Sequence, residues 1–239
     1  MRALAAVVLV AGGGAQADPG YYVVTAYDNA GQRSIDVRYW TVKSHGAPAV
    51  LWPEVGVGYG VSSRWYTEVY GSFIGTADTA FKRSSLNWQN EVLLTQGEFP
   101  FDVAMHASLI RYPTAEEGTT LEYGPVLQTD VGRTQLNFNL FFDHTWGGLA
   151  SSRTQMKYQW QAKYRFRPAL QFGLQGFGEL GDWLDGASRE QQSHRVGPAV
   201  FGRWALGSGH TVQYQAAWLL GSTYGQNGNM FTTRVQYLF

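Results

Sequence analysis

Twelve charged side chains define the chemistry open to this chain. The acids are Glu54, Glu68, Glu91, Glu122, Asp143 and Glu179, and the bases are Arg38, Lys157, Lys163, Arg165, Arg203 and Arg234. Each lies in a stretch where side chains alternate in character, on the parity that collects polar groups. Along a narrow passage, facing charges of this kind would set selectivity and field, so these are candidate pore-lining residues. The competing reading is that acids and bases pair off and fill the space as an ion-pair network. Amides (Gln89, Gln128, Gln159, Gln161, Gln171, Gln175, Gln213, Gln215) are abundant among them. Bases concentrate between Arg153 and Phe166, a wall that would favour anionic solutes.

Other reactive spacings are weaker. His106 and Ser108 share one face of a strand, as a base and a nucleophile require. Their neighbours Ala107 and Leu109 lack a polar surround, and the sequence offers no third, orienting group. Ser193-His194 and Asp143-His144-Thr145 read as rim residues near strand ends, with a two-histidine metal site across neighbouring loops as the alternative. Asp182-Trp183-Leu184-Asp185-Gly186 lacks the ligand count of a calcium loop. The glycines recur with strand period and do not precede a helix, so no phosphate cradle is expected. No enzyme activity, cofactor or metal is expected.

The elements that must position these residues are strands. Alternating runs recur at roughly 18-residue spacing, the rhythm of a barrel or sandwich. They predict about twelve strands: Ser34–Lys43, Pro53–Val61, Trp65–Thr76, Lys82–Gln96, Phe101–Tyr112, Thr119–Val131, Thr134–Trp146, Arg153–Phe166, Ala169–Gly181, Ser193–Leu206, His210–Gly221 and Met230–Phe239. Every second connection is short: Ser62-Ser63-Arg64, Gly97–Pro100, Gly132-Arg133, Arg167-Pro168 and Gly207-Ser208-Gly209. The intervening set is mostly longer, through Ser44–Trp52, Pro113–Gly118, Gly147–Ser152, Asp182–Gln192 and Ser222–Asn229. That asymmetry belongs to a membrane barrel with tight turns at one end and loops at the other.

The faces say which side is wet. Met156, Tyr158, Trp160, Ala162, Tyr164 and Phe166 oppose Lys157, Gln159, Gln161, Lys163 and Arg165. Side chains as large as the first set would overfill a twelve-stranded interior, so the apolar parity faces lipid. The expected fold is all-β: a transmembrane, antiparallel, up-and-down β-barrel. Trp65, Trp146 and Trp204 near strand ends fit an interfacial girdle.

The start of the chain agrees. Arg2, an apolar run from Ala3 to Val10 and Ala15-Gln16-Ala17 read as a signal peptide over residues 1–17. Removing it leaves about 222 residues, enough for one large domain. Residues 18–33 form an N-terminal segment, periplasmic or resting in the lumen, and residues 34–239 the barrel. Eighteen basic and eighteen acidic residues balance, which argues against a nucleic-acid partner. Cysteine is absent, so an exported chain has no disulfide scaffold. The last strand, MFTTRVQYLF, is similar to the C-terminal aromatic strand of bacterial outer-membrane barrels, typically finished by Phe.

With the strands placed, Trp52–Phe239 resembles bacterial outer-membrane barrels related to the group associated with the meta pathway of phenol degradation. The likeness lies in Glu54–Trp65 (EVGVGYGVSSRW), Leu86–Glu91 (LNWQNE), Phe177–Gly181 (FGELG) and Val196-Gly197-Pro198. It implies an outer-membrane barrel moving small molecules, and it brings no catalytic residue. A passive channel for small polar or amphipathic solutes is the first expectation. A plugged structural or partner-binding barrel, closed by ion pairs or by Asp18–Gly31, is the second. An outer-membrane lipid hydrolase, in which a similar His-x-Ser pair occurs, is the third; there, the lumenal parity of His106 counts against it. Outer-membrane lipid is the expected partner, and oligomeric state is not legible.

Overall fold

The computed structural model describes residues 21–26, 30–46, 48–149, 153–223 and 226–239. The expected signal peptide lies outside the described residues. Twelve strands close into one antiparallel barrel in which each strand pairs with its sequence neighbours and the first with the last. They are β1 (Arg33–Ser44), β2 (Val50–Gly60), β3 (Trp65–Thr76), β4 (Thr79–Leu93), β5 (Asp102–Arg111) and β6 (Thr119–Val131), followed by β7 (Thr134–Trp146), β8 (Gln155–Arg167), β9 (Leu170–Asp182), β10 (Ser193–Gly207), β11 (His210–Thr223) and β12 (Gln226–Leu238). Closure is sealed at one end, called here the terminal end, where Arg33 N donates to Phe239 O at 2.8 Å and Phe239 N returns a bond to Arg33 O at 3.0 Å. A closed ladder satisfies every strand edge, the condition a β-structure must meet in lipid.

The period of two is visible along β1. Ile35 and Val37 point out, while Ser34, Asp36 and Arg38 are buried. The same holds around the wall. Val57 is 61% exposed, Trp88 51% and Leu220 57%, whereas Glu68, Gln89 and Asn139 are fully buried. An apolar exterior around a polar interior inverts the arrangement of a water-soluble protein and fits a lipid-embedded wall. Among the described residues no helix is long and apolar enough to cross a membrane.

At the terminal end, two-residue turns need backbone that glycine supplies. Gly132 takes φ +60° between β6 and β7, and Gly209 takes φ +82° entering β11. The link from β4 to β5 is longer than the sequence suggested. It is held flat by Arg64, which donates to Leu94 O at 2.9 Å and to Glu98 at 2.7 Å. At the other end, the expected loop over Ser222–Asn229 is mostly strand: Gly221 pairs with Gly228, Ser222 with Asn227 and Thr223 with Gln226. Glycine and amide residues there look like loop because neither face of the hairpin needs to be apolar so close to its end.

Candidate functional site: the lumen

The lumen is occupied at mid-height by the chain itself. Tyr21–Ala26 runs through the barrel as an extended segment outside the sheet, with Tyr21 to Val24 buried. Alternate residues take opposite walls, as extended backbone dictates. Tyr21 and Val23 pack on Trp40, Phe177, Phe201, Ala217, Leu219 and Met230. Tyr22 and Val24 pack on Leu93, Ala104, Val126 and Phe141. Wall side chains also bond its backbone: Asn139 Nδ2 donates to Val24 O at 2.9 Å, Val24 N donates to Gln159 Oε1 at 3.2 Å, and the Thr232 hydroxyl donates to Tyr21 O.

Three ionic groups surround the segment. In the first, Arg38 donates to Asp36 at 2.9 Å and to Glu68 at 2.6 Å, with Glu54 4.0 Å away. Arg234 Nε shares the same Asp36 oxygen at 2.7 Å. The Tyr22 ring lies against both cations, 3.9 Å from the Arg38 guanidinium carbon and 4.9 Å from that of Arg234, and its hydroxyl donates to Gln89. The second group is a chain. Glu91 meets His106 Nδ1 at 2.5 Å and Glu122 meets His106 Nε2 at 2.8 Å; Lys157 joins Glu122 and reaches Asp143 at 2.9 Å. The third joins Arg195 to Glu179 at 3.2 Å, with the Tyr21 hydroxyl donating to Glu179 and the Arg195 guanidinium 4.7 Å from the Tyr21 ring.

The twelve charged residues singled out from the sequence are therefore distributed over two zones. Arg38, Glu54, Glu68, Glu91, Glu122, Asp143, Lys157, Glu179 and Arg234 belong to the ionic groups around the segment. Lys163, Arg165 and Arg203 lie beyond it, lining a cavity of about 250 Å³ at the terminal end, where Arg234 also contributes. Between the zones an amide relay follows the wall. Asn137 donates to Gln128 at 2.9 Å, Gln161 to Asn137 at 2.9 Å, and Gln175 to Gln161 at 3.1 Å.

Sequence reading passed over Asp36 and Arg195, both central to the ionic groups. Each carries the signal that found the others, since Asp36 shares the parity of Arg38, and Arg195 that of Ser193. His106 was weighed as a catalytic base and instead bridges two carboxylates. Both ring nitrogens face acceptors, and Ser108 Oγ makes no hydrogen bond among the described residues, so no serine–histidine relay is present between them. His194 is held by Tyr158 and Gln192, each at 2.9 Å, and His144 by Thr154 at 3.1 Å. Asp182 caps its own turn, accepting from Leu184 N at 2.9 Å. Among the described residues no cluster of metal-ligating side chains is found.

Solved structures with similar folds are membrane barrels. The chain is similar to an outer membrane channel from Pseudomonas putida F1 (TM-score 0.62, 11% identity, 94% of this chain and 100% of that one). It is similar to the NanC porin (0.59, 12% identity, 84% and 98%). It is also similar to the translocator domain of the autotransporter NalP from Neisseria meningitidis (0.50, 12% identity, 88% and 89%). At these identities the likeness is one of fold. No protein-family model and no curated protein sequence matches the chain.

Proposed function

We propose that this chain is an outer-membrane channel for small polar or amphipathic solutes, and that its lumen is shut at mid-height by Tyr21–Ala26. The observation that carries the reading is how the segment is held. Wall side chains hold it, and it is not a strand of the sheet. An occupant bound in this way can leave without opening any strand pair, whereas a wall strand cannot. The polar lumenal face and the fold shared with a porin and an outer membrane channel support the same reading. In this reading the terminal end is periplasmic, as in single-chain bacterial barrels.

We also propose that the chain belongs with the barrels related to the group associated with the meta pathway of phenol degradation. Two of the glycines that carry that resemblance sit where a larger residue would displace a neighbouring ring (Gly178) or the backbone of the next strand (Gly197). A Cβ at Gly178 would lie 2.1 Å from the Tyr158 ring, and one at Gly197 would lie 1.9 Å from the Trp218 carbonyl oxygen.

A second reading, a permanently closed structural barrel, is favoured by the burial of the ionic groups, such as Glu68 with 1% exposure and Arg38 with 2%. Planar-bilayer conductance separates the two. The refolded chain from Asp18 should open rarely, and a variant lacking residues 18–31 should conduct steadily, with Arg165→Glu, at a half-exposed position lining the terminal cavity, changing ion selectivity. If the deletion variant is folded and silent, the structural reading stands in place of the channel.

A further inference from the structure

The cavity at the terminal end has a composition unlike the rest of the lumen. Its lining includes Lys163, Arg165, Arg203 and Arg234 and contains no carboxylate. Arg234 is engaged with Asp36, and Arg165 with Asp130 at 2.8 Å. Lys163 and Arg203 form no ion pair among the described residues; Lys163 Nζ lies 5.6 Å from the centre of the Phe201 ring. Deeper in the lumen every cation described above has a carboxylate within contact distance. Two positive charges with no carboxylate in ion-pair contact, in a concave polar site where Asp130 acts on Lys163 only from farther off, attract an anion.

The uncharged lining narrows the class. The side chains of Gln135 and Gln213 face the cavity and make no hydrogen bond among the described residues, and that of Gln171 uses its amide nitrogen, on Pro168 O at 3.3 Å. An amide offers donors and acceptors together, which sulfate, an acceptor alone, cannot satisfy, and which a hydrogen phosphate, with its hydroxyls on one compact centre, satisfies only in part. A ligand that bears hydroxyls beside its negative charge satisfies both. The volume of about 250 Å³ leaves room for one small solute. Val23 and Thr25 of the lumenal segment form part of the lining, so the site lies directly against the occupant that shuts the barrel.

We infer that this mouth of the lumen is a binding site for a small hydroxylated carboxylate, held by Lys163 and Arg203 with Gln135 and Gln213 reading its hydroxyls. The site rests on the channel reading for its biological purpose, and it can be tested without transport. Isothermal titration of the refolded, detergent-solubilised chain would use gluconate, with sorbitol, acetate and inorganic phosphate as comparators. Gluconate is expected to bind saturably and at least about tenfold more tightly than each of the other three, since sorbitol lacks the charge, acetate the hydroxyls, and phosphate carries its hydroxyls on one compact centre where gluconate spreads them along a chain. Arg203→Gln, at an exposed position, should weaken gluconate about tenfold without disturbing the fold, and Lys163→Gln should do the same. Gln213→Leu should weaken gluconate while leaving the weak acetate signal unchanged. Phosphate or acetate binding as tightly as gluconate would overturn the assignment, as would affinity unmoved by Arg203→Gln. Absence of saturable gluconate binding by folded protein would also overturn it, while leaving bilayer conductance to decide the channel. Gluconate binding by a chain that stays silent in the bilayer even without residues 18–31 would keep the site and remove the channel.

Discussion

Replacing Tyr22 by Ala should release the segment from the lumen, and the contacts give the scale. The ring is 4% exposed, so its burial contributes about 1.5–3 kcal/mol. Its faces meet two guanidinium groups, at 3.9 and 4.9 Å, each worth about 0.5–1 kcal/mol. Its hydroxyl bonds Gln89, a further ~1 kcal/mol. Water entering the vacated site recovers part of this, so about 3–5 kcal/mol is a fair range, a hundredfold to a few thousandfold in the docking equilibrium. The chain has no cysteine, which makes Val23→Cys a clean reporter: Val23 is 1% exposed while the segment is docked. Labelling by a water-soluble maleimide then tracks the undocked fraction. In that background Tyr22→Ala should label at least a hundredfold faster, and Tyr22→Phe, which loses the bond to Gln89 and keeps the ring, about fivefold faster. Retention of the heat-modifiable gel mobility of a folded barrel controls for unfolding. Equal labelling rates in the parent and Tyr22→Ala would mean that the ring does not hold the segment, and the gating argument would fail with it.

Lys157→Gln should be among the most damaging single changes to the wall. It leaves Glu122 and Asp143 buried beside each other without their shared cation, a loss of about 3–5 kcal/mol visible as a lower urea midpoint. Adding Glu122→Gln and Asp143→Asn should restore most of that loss, because the uncompensated charges go with the cation. Gly197→Ala places a Cβ 1.9 Å from the Trp218 carbonyl oxygen, so β10 and β11 must separate; a sharply reduced yield of heat-modifiable barrel is expected, with Gly207→Ala at the open turn as a milder comparison. His106→Asn should leave any phospholipid hydrolysis by a preparation unchanged, since the ring is fully buried between two carboxylates; loss of such activity would revive the enzyme reading.

The barrel was legible because lipid outside and water inside force a period of two on every strand. Lys157, Gln159 and Gln161 against Tyr158, Trp160 and Ala162 is the clearest instance, and the structure keeps that division. Strand ends were read less well where the constraint lapses. Beyond Leu220 both faces of the β11–β12 hairpin can be polar, so the ladder through Gly228 carries no alternation to read. The course of residues 21–26 could be read only as a possibility, although the wall records it. Ala217 and Leu219 stand on the polar parity of β11, and Phe141 on that of β7; each breaks the pattern where a segment side chain packs. Apolar interruptions of a lumenal face thus mark the track of an internal occupant. The partners of each ion remained hidden because pairing depends on register, and a shift of one residue would have turned every one of them toward lipid.

On the channel reading, the register also accounts for a closure that is reversible. Arg38 is aligned with Arg234 across β1 and β12 and with Glu54 across β1 and β2. Two cations side by side are tolerable only because Asp36 bonds both and the Tyr22 ring lies against both. The acids are not saturated by these contacts: among the described residues Asp36 Oδ1, Glu68 Oε1 and Glu91 Oε2 accept no hydrogen bond. When the segment leaves, water weakens the ion pairs, but it also hydrates those oxygens and lifts the desolvation burden that buried charges carry. The two changes oppose one another. A purely apolar plug in a purely apolar lumen would have no such compensation and would stay shut. Here the charged wall lowers the cost of opening, and the aromatic and aliphatic contacts of Tyr21 to Val24 supply the bias toward closure, which is why perturbing a single ring should shift the balance by orders of magnitude.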